Sequence, residues 1–460
     1  MAMERLRYFA VVLFLLVGMV AAAQTSRIRT QHKVAKGETI FGIAKSYEVT
    51  MEDLIEVNPP MKEVGYELKK GDILNIPFSK KPQQPAGKPA ASGTATVTTE
   101  KPVTTTVAGT KTVNVGVLLP LHDNDGDGRR MVEYYRGLLL ACDRVKKDGI
   151  TVDMHAWNVP IDADINQTLK EKDVDKCDII IGPLYTKMVK PLADFCQKND
   201  IMMVIPFSIT GNDVERYANL FQVYQSNEDF DRATIRNFIQ QFSGCHPIII
   251  DCADPNSTKG SFTAALRQEL DSRGIAYSLT SLKSEEKDFV RAFSLSKRNI
   301  VVLNTEHSPS VNATLAKLNA LTAKNADLQV SLFGYKEWLM YTKVYQDYYF
   351  KYDTYIPTYF YYNDQSADTR WVEANYRKWF DREMDSDALP RFALTGFDHG
   401  CFFIGGFSQF GKSFNGGKGQ MTYKAVQSPL RFKKIGLGQR NVNFMFVHYN
   451  PNRSIESINY

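Results

Sequence analysis

The sequence predicts an α/β protein: a small βααβ unit followed by two lobes built on parallel, doubly wound sheets. Three observations predict it. From Val113 onward, short β-branched runs alternate with stretches of helical period, the pattern of right-handed βαβ crossovers. The alternation restarts at His246, which makes two lobes with a ligand cleft at the carboxyl ends of the strands. Residues 32–77 carry their own strand–helix–helix–strand pattern, separated from the body by residues 78–112, rich in Pro, Thr, Ala and Lys.

Residues 1–23 read as an export signal. Arg5 and Arg7 precede an apolar run over 11–20, and Ala21-Ala22-Ala23 offers a small-residue cleavage site. The run is too short for a comfortable membrane span, and no Cys follows it to carry a lipid. The mature chain is expected to be periplasmic or otherwise exported, with no stable membrane insertion after cleavage.

In the small unit, a strand over 32–35 leads through Lys36-Gly37 into a helix whose Ile40, Ile43, Ala44 and Tyr47 share one face. Thr50 is the expected N-cap of a second helix, accepting from the Asp53 N–H, with Met51, Leu54, Ile55 and Val57 apolar. Asn58-Pro59-Pro60 stops it, and a strand over 73–76 closes the unit. So small a unit buries few side chains, which leaves its surface for recognition.

Val34, Lys36-Gly37-Glu38-Thr39-Ile40, Ile43-Ala44, Tyr47, Val49-Thr50, Leu54, Asn58-Pro59, Leu68, Gly71-Asp72, Leu74 and Ile76-Pro77 together resemble a LysM domain. The resemblance implies binding of N-acetylglucosamine-containing glycans, most often peptidoglycan. Carried over by position, the groove is formed by Gly37, Glu38, Thr39, Ile40 and Phe41 on one side and Asn58, Pro59, Pro60 and Met61 on the other. Glu38 stands where Asp is usual and keeps the carboxylate. Taken singly, Gly37 and Asn58 also read as turn and cap residues.

The spacer 78–112 has scarcely any bulky side chains and is expected to be disordered. The whole net charge of +5 falls within the first 112 residues, so 113–460 is neutral. A neutral body argues against nucleic acid as a partner. Of the six cysteines, Cys142, Cys196 and Cys401 sit in apolar helical contexts that suit free thiols. No pair among the six, which include Cys177, has a metal-site spacing, and Cys245 and Cys252 flank one strand too far apart to bridge.

The body is expected to run strand 113–119, helix 131–147, strand 151–157, helix 165–174, strand 178–181, helix 186–199, strand 201–205 and strand 220–224. The second half follows with strand 246–251, helix 258–272, strand 275–279, helix 285–295, strand 300–304, helix 310–321 and strand 328–333. Helices near 370–382 and 393–410 and a terminal hairpin over 432–449 complete it. Lobe 1 is then about 113–245 with 357–430, and lobe 2 about 246–356 with 431–460.

Val115-Gly116-Val117-Leu118-Leu119-Pro120, Arg136-Gly137, Ile181-Gly182-Pro183-Leu184, Pro191, Ile205-Pro206-Phe207-Ser208, Phe221 with Asn227, and Gly396-Phe397-Asp398 recur in one order. With them the body resembles the type I periplasmic-binding-protein fold, specifically branched-chain amino acid receptors of ABC transporters and penicillin-binding protein activators. The resemblance implies a ligand carboxylate held by backbone N–H groups and hydroxyls at helix starts. By position these are Gly182, Pro183, Leu184, Tyr185, Thr186, Phe207, Ser208 and Ile209, with Asn227 near the hinge. Thr186 and Ser208 are the side-chain donors.

The first loop departs from the pattern. It reads His122-Asp123-Asn124-Asp125-Gly126-Asp127-Gly128-Arg129-Arg130, and Lys187 follows Thr186, which puts a plain amino-acid ligand in doubt. Asp123, Asp125 and Asp127 open like a calcium loop, but Tyr134 occupies the closing acid position, so no metal is expected. The aromatic stretch 345–362 reads as core and hinge packing, since Tyr355, Pro357 and Tyr359 alternate as in a strand.

No H-E-x-x-H or G-x-S-x-G motif is present, the Gly-rich turn at Gly126-Asp127-Gly128 lacks a P-loop lysine-threonine, and His155 and His399 lie in or beside apolar runs that suit structural histidines. The sequence therefore points to a non-enzymatic, cofactor-free protein. Its expected partners are peptidoglycan, a small ligand such as an amino acid, peptide or muropeptide, and a cell-wall synthase or transporter. The alternatives are a regulator of wall synthesis with a degenerate cleft and a wall-remodelling enzyme.

Overall fold

A computed structural model describes residues 28–34, 43, 47, 49, 51–62, 68–78, 112–207, 210–420 and 423–460. The expected export signal, Thr50, the loop 37–41, Ser208, Ile209 and the spacer between Phe78 and Thr112 lie outside the described residues.

Strand β1 (Ile28–Lys33) pairs antiparallel with β2 (Ile73–Pro77), beginning ahead of the expected residue 32. The helix α1 (Met51–Glu56) seats Leu54 and Ile55 against them in a small core with Val34, Ile43, Met61, Leu74 and Ile76.

The first sheet is built on β3 (Thr112–Leu119), β4 (Thr151–Asn158), β5 (Ile179–Ile181), β6 (Met202–Ile205) and β7 (Leu220–Gln222), all parallel. Alternation along β3 sends Val113, Val115 and Val117 to one core and Leu118 to the other, as a strand covered on both faces requires. The crossovers are α2 (Gly126–Lys146), α3 (Ile165–Thr168) and α4 (Val189–Lys198). Helix α2 starts ahead of the expected residue 131 because Asp125 caps it, its Oδ1 accepting from the Gly128 N–H at 2.7 Å. The helix expected over 165–174 is a single turn. Lys170, Glu171, Lys172 and Asp173 follow it, and Asp173 takes a left-handed backbone (φ 72°).

In the second lobe, α5 (Asn227–Gln241) precedes β8 (His246–Asp251), α6 (Gly260–Ser272), β9 (Ser278–Ser281) and α7 (Glu286–Arg291). Then come β10 (Asn299–Leu303), α8 (Ser308–Lys324), β11 (Val330–Phe333), a 3-10 turn (Lys336–Tyr341), α9 (Thr342–Lys351) and β12 (Thr354–Thr358). The chain returns to the first lobe as α10 (Ala367–Phe380), α11 (Phe392–Phe410) and the hairpin β13 (Phe432–Ile435) and β14 (Gly438–Asn441). It ends in the second sheet with β15 (Met445–Tyr449) and β16 (Ile455–Asn459). The seven-stranded orders are β13-β14-β7-β6-β5-β3-β4 and β16-β15-β12-β11-β10-β8-β9.

This order moves three segments across the expected lobe boundary. Helix α5 belongs to the second core through Ile235 and Phe238, β12 keeps Pro357 and Thr358 in the second sheet, and β13 and β14 close the first. The expected terminal hairpin is therefore two hairpins on different lobes. Gly436 turns the first one (φ 58°), and a Cβ there would meet the Glu215 carbonyl oxygen at 2.5 Å.

The first lobe is held by the crossing of α2 and α11. Their backbones touch where side chains are absent: a Cβ on Gly396 would lie 2.0 Å from the Tyr134 carbonyl oxygen, and one on Gly137 1.9 Å from that of Ala393. Two residues past Gly396, the buried Asp398 accepts from the N–H groups of Val426 (2.7 Å), Gln427 (2.8 Å) and Ser428 (2.7 Å) and from the Tyr423 hydroxyl (3.1 Å). In the second lobe the buried Asp353 takes His448 Nε2 at 2.7 Å, the Ser331 hydroxyl at 2.8 Å and the Arg298 guanidinium. His448 also reaches Glu456 at 3.0 Å, tying β15 to β16.

Three connections, 223–226, 359–366 and 442–444, join the lobes. They are cross-braced: Gln225 Nε2 donates to the Asn443 carbonyl at 2.7 Å, and Arg440 on β14 pairs with Asp229 on α5 at 2.8 Å.

Candidate functional site

In the small domain only one bank of the expected groove is described. Asn58 faces inward: its Nδ2 donates to the carbonyls of Leu54 and Asn75, both at 2.7 Å, while its Oδ1 accepts from the Asn75 N–H at 2.8 Å. Its side chain is spent fastening the end of α1 to β2. Met61 is part of the core, whereas Pro59 and Pro60 are exposed. The surface available to a sugar on this bank is thus the two prolines and backbone groups, not the Asn58 amide or the Met61 thioether.

The body's cleft faces are the carboxyl edges of the two sheets. On the first lobe, the turns after β5 and β6 come together as expected. Thr186 Oγ1 accepts from both the N–H (3.1 Å) and the hydroxyl (3.3 Å) of Thr210, which spends its lone pairs inside the wall and leaves one proton to offer. Gly182, joined to Pro183 by a cis peptide, has φ +142°, and a Cβ there would meet the Leu118 carbonyl oxygen at 2.3 Å. Gly182 and Pro183 are buried, Leu184 and Tyr185 half-buried, and Thr186 and Lys187 exposed.

Phe207 turns inward, edge-on to Tyr134 at 5.0 Å between ring centroids. Asn227 is exposed in the first turn of α5, which Ser226 caps by accepting from the Asp229 N–H at 3.1 Å.

The acidic first loop folds onto the start of α2, where an anionic ligand would otherwise find free N–H groups. Asp125 takes the Gly128 N–H, while Asp127 pairs with Arg130 at 2.5 Å and accepts from the Tyr185 hydroxyl at 3.3 Å. Burial, together with the charge of Asp127, pushes the Tyr185 phenol up to about 12. The protein's own carboxylates thus occupy the positive end of this helix. Gly128 is required by the fit, since a Cβ there would lie 2.2 Å from the His122 carbonyl oxygen. Among the described residues, no group of three or more His, Cys, Asp or Glu side chains is placed to hold a metal ion.

The second lobe's wall was not anticipated from sequence. Glu306, nearly buried at the end of β10, accepts from the Thr258 hydroxyl at 3.0 Å and the Ser257 hydroxyl at 3.3 Å. Lys259 pairs with Glu337 at 3.1 Å and lies 5.1 Å from the Tyr335 ring centroid. Lys336 and Asp231 flank this group. Burial pushes the Lys336 ammonium down and the Asp231 carboxyl up from their ordinary values. The sequence signal was available in position alone: Lys336-Glu337 follow a buried β-run ending Phe333-Gly334-Tyr335, at the strand end where doubly wound sheets present ligand groups.

Of the aromatic stretch, Tyr345 and Tyr349 are core residues, Tyr355 stacks on His448 at 3.9 Å, and Tyr359 meets Phe230 beside the hinge. His399 is buried on Tyr134, its Nδ1 2.9 Å from the hydroxyl, and burial pushes it down to about 3. All six cysteines are free thiols. A cavity of about 490 Å³ lined by Arg144, Asp148, Cys401, Ser408 and Tyr423 lies at the far end of α2, away from the cleft.

Residues 32–77 match the LysM domain model, so the chain carries a LysM domain there. No curated protein matches the chain. Among solved structures, a candidate branched-chain amino acid ABC transporter from Rhodospirillum rubrum is 12% identical, with a TM-score of 0.50 over 76% of this chain and 100% of that one. An ABC-type branched-chain amino acid transporter from Rhodopseudomonas palustris is 12% identical, with a TM-score of 0.46 over 75% and 95%. An ABC transporter substrate-binding protein from Desulfitobacterium hafniense, in complex with Leu, is 16% identical, with a TM-score of 0.38 over 76% and 100%. The likeness to the Rhodospirillum structure shows the fold of the body. Among the described residues, no helix is long and apolar enough to cross a membrane.

Proposed function

We propose that this chain is an exported, non-catalytic binding protein of the cell wall. The LysM domain holds it on peptidoglycan, and the two-lobed body takes a small ligand, an amino acid, peptide or muropeptide, between its lobes. The observation that carries this reading is the joining of a LysM domain at residues 32–77 to a body with the fold of substrate-binding proteins. Three connections between the lobes suit hinge closure, in which ligand favours the closed state.

A second reading has one observation in its favour. The acidic loop fills the helix start on the first lobe, as in a body that has given up its ligand to regulate a wall synthase.

The anchoring is tested by sedimentation with insoluble sacculi. The mature chain from Gln24 is expected in the pellet, and the chain lacking residues 24–80 in the supernatant. Equal sedimentation of the two removes the LysM domain as the anchor.

A further inference from the structure

The two cleft walls differ in what they leave unbonded. On the first lobe, the N–H and carboxylate groups at the start of α2 bond to one another and Thr186 bonds to Thr210. On the second lobe, three groups at the carboxyl edge of the sheet stay open. Lys336 lies 5.8 Å from the Phe230 ring centroid and 5.7 Å from that of Tyr359, with no ion pair or hydrogen bond among the described residues. The Asp231 carboxylate, in the second turn of α5, likewise accepts no hydrogen bond there. Glu337 gives Oε1 to Lys259, while its Oε2 is buried without a partner.

Half-burying an ammonium or a carboxylate without a hydrogen-bonded partner costs solvation that the ring faces and the nearby charges return only in part. Lys336 and Asp231 have opposite charges and sense one another, yet do not pair. One molecule carrying both complementary charges would satisfy both.

We propose that the second lobe alone holds both charges of a small zwitterion, its carboxylate on Lys336 and its ammonium on Asp231. The rings of Phe230 and Tyr359 cover the skeleton between them. This rests on the receptor reading and departs from the resemblance, which assigns the carboxylate to Thr186 and Ser208 on the first lobe. Cation–π contact keeps the unliganded Lys336 in place, so little ordering is required on binding.

The test is calorimetric titration of the mature chain with L-leucine, L-glutamate and D-alanyl-D-alanine, and with succinate and putrescine, each of which carries charge of one sign only. At least one zwitterion is expected to bind, and neither succinate nor putrescine. Lys336→Met and Asp231→Asn, with unchanged melting temperatures, should each weaken binding by about tenfold or more. Lys336→Arg should stay within about threefold and Thr186→Ala within about twofold. Zwitterion binding that survives Lys336→Met and is lost in Thr186→Ala overturns the charge assignment and leaves the receptor reading standing. A wild-type chain that binds none of the five removes both.

Discussion

Among the described residues each lobe buries one aspartate, and the two settle its charge in opposite ways. Asp398 in the first lobe faces three backbone N–H groups and a phenol, yet burial outweighs these neutral donors and pushes it up to about 6. Asp353 in the second is also pushed up by burial, but the hydrogen bonds from His448 and Ser331 and the nearby Arg298 outweigh that and hold it below the usual carboxylate range. In Asp398 the neutral donors offset less than the whole cost of burial, whereas in Asp353 a donor set that includes a charged neighbour offsets more than all of it. The lobes should therefore respond to pH in opposite directions.

Helix α11 presents Asp398 at a depth set by its glycine crossing with α2. Gly396→Val would drive side-chain atoms into the Tyr134 carbonyl region, where even a Cβ would sit 2.0 Å from oxygen. Because the obstacle is backbone, the helices must part, at a cost of about 4 kcal/mol or more. Urea unfolding should show this loss in the first lobe. The second lobe, reported by Trp338 in a background with Trp157, Trp371 and Trp379 changed to Phe, should keep its transition.

That contact also shows how far the sequence could be read. Arg136-Gly137 and Gly396-Phe397-Asp398 stood out as family-like pieces, and the structure gives them a physical reason: the glycines permit backbone contact, and Asp398 grips residues 426–428. Alternating strand and helix periods were legible because a sheet covered on both faces needs them. Lobe membership after residue 431 was not, because hairpins and edge strands read alike whichever sheet they join. The candidate site was legible only where it followed local chain pattern, as in the turns at Gly182 and Phe207. Asp231, Lys336 and Glu337 are more than 100 residues apart at their extremes and meet only through the second sheet's order.

Removing the charged arrangement should turn one lobe's behaviour into a loss. Asp353→Ala leaves His448 and the partly exposed Arg298 without their shared carboxylate, at an expected cost of about 3 kcal/mol in the second lobe alone. In the wild type, the lowered value of Asp353 contributes stability that is present above its unfolded value and lost as pH falls through its folded one. The Trp338 transition should therefore weaken on acidification below about pH 4, and this acid sensitivity should shrink in Asp353→Ala. An unchanged acid limb in the variant would show that other carboxylates set it.

The smallest effect is the most direct reading of the contrast. With its value raised to about 6, folded Asp398 holds a proton that the unfolded chain releases at its ordinary value. Between these two values the folded state binds more protons, so first-lobe stability falls as pH rises from about 4 to 6, by on the order of 2 kcal/mol. Asp398→Asn keeps an acceptor for the 426–428 N–H groups and cannot ionise, so it should flatten that slope while leaving the second lobe's acid limb intact. Parallel pH profiles for the two lobes in the wild type would mean that Asp398 is as well paired as Asp353, and that three backbone dipoles are worth a charged neighbour here after all.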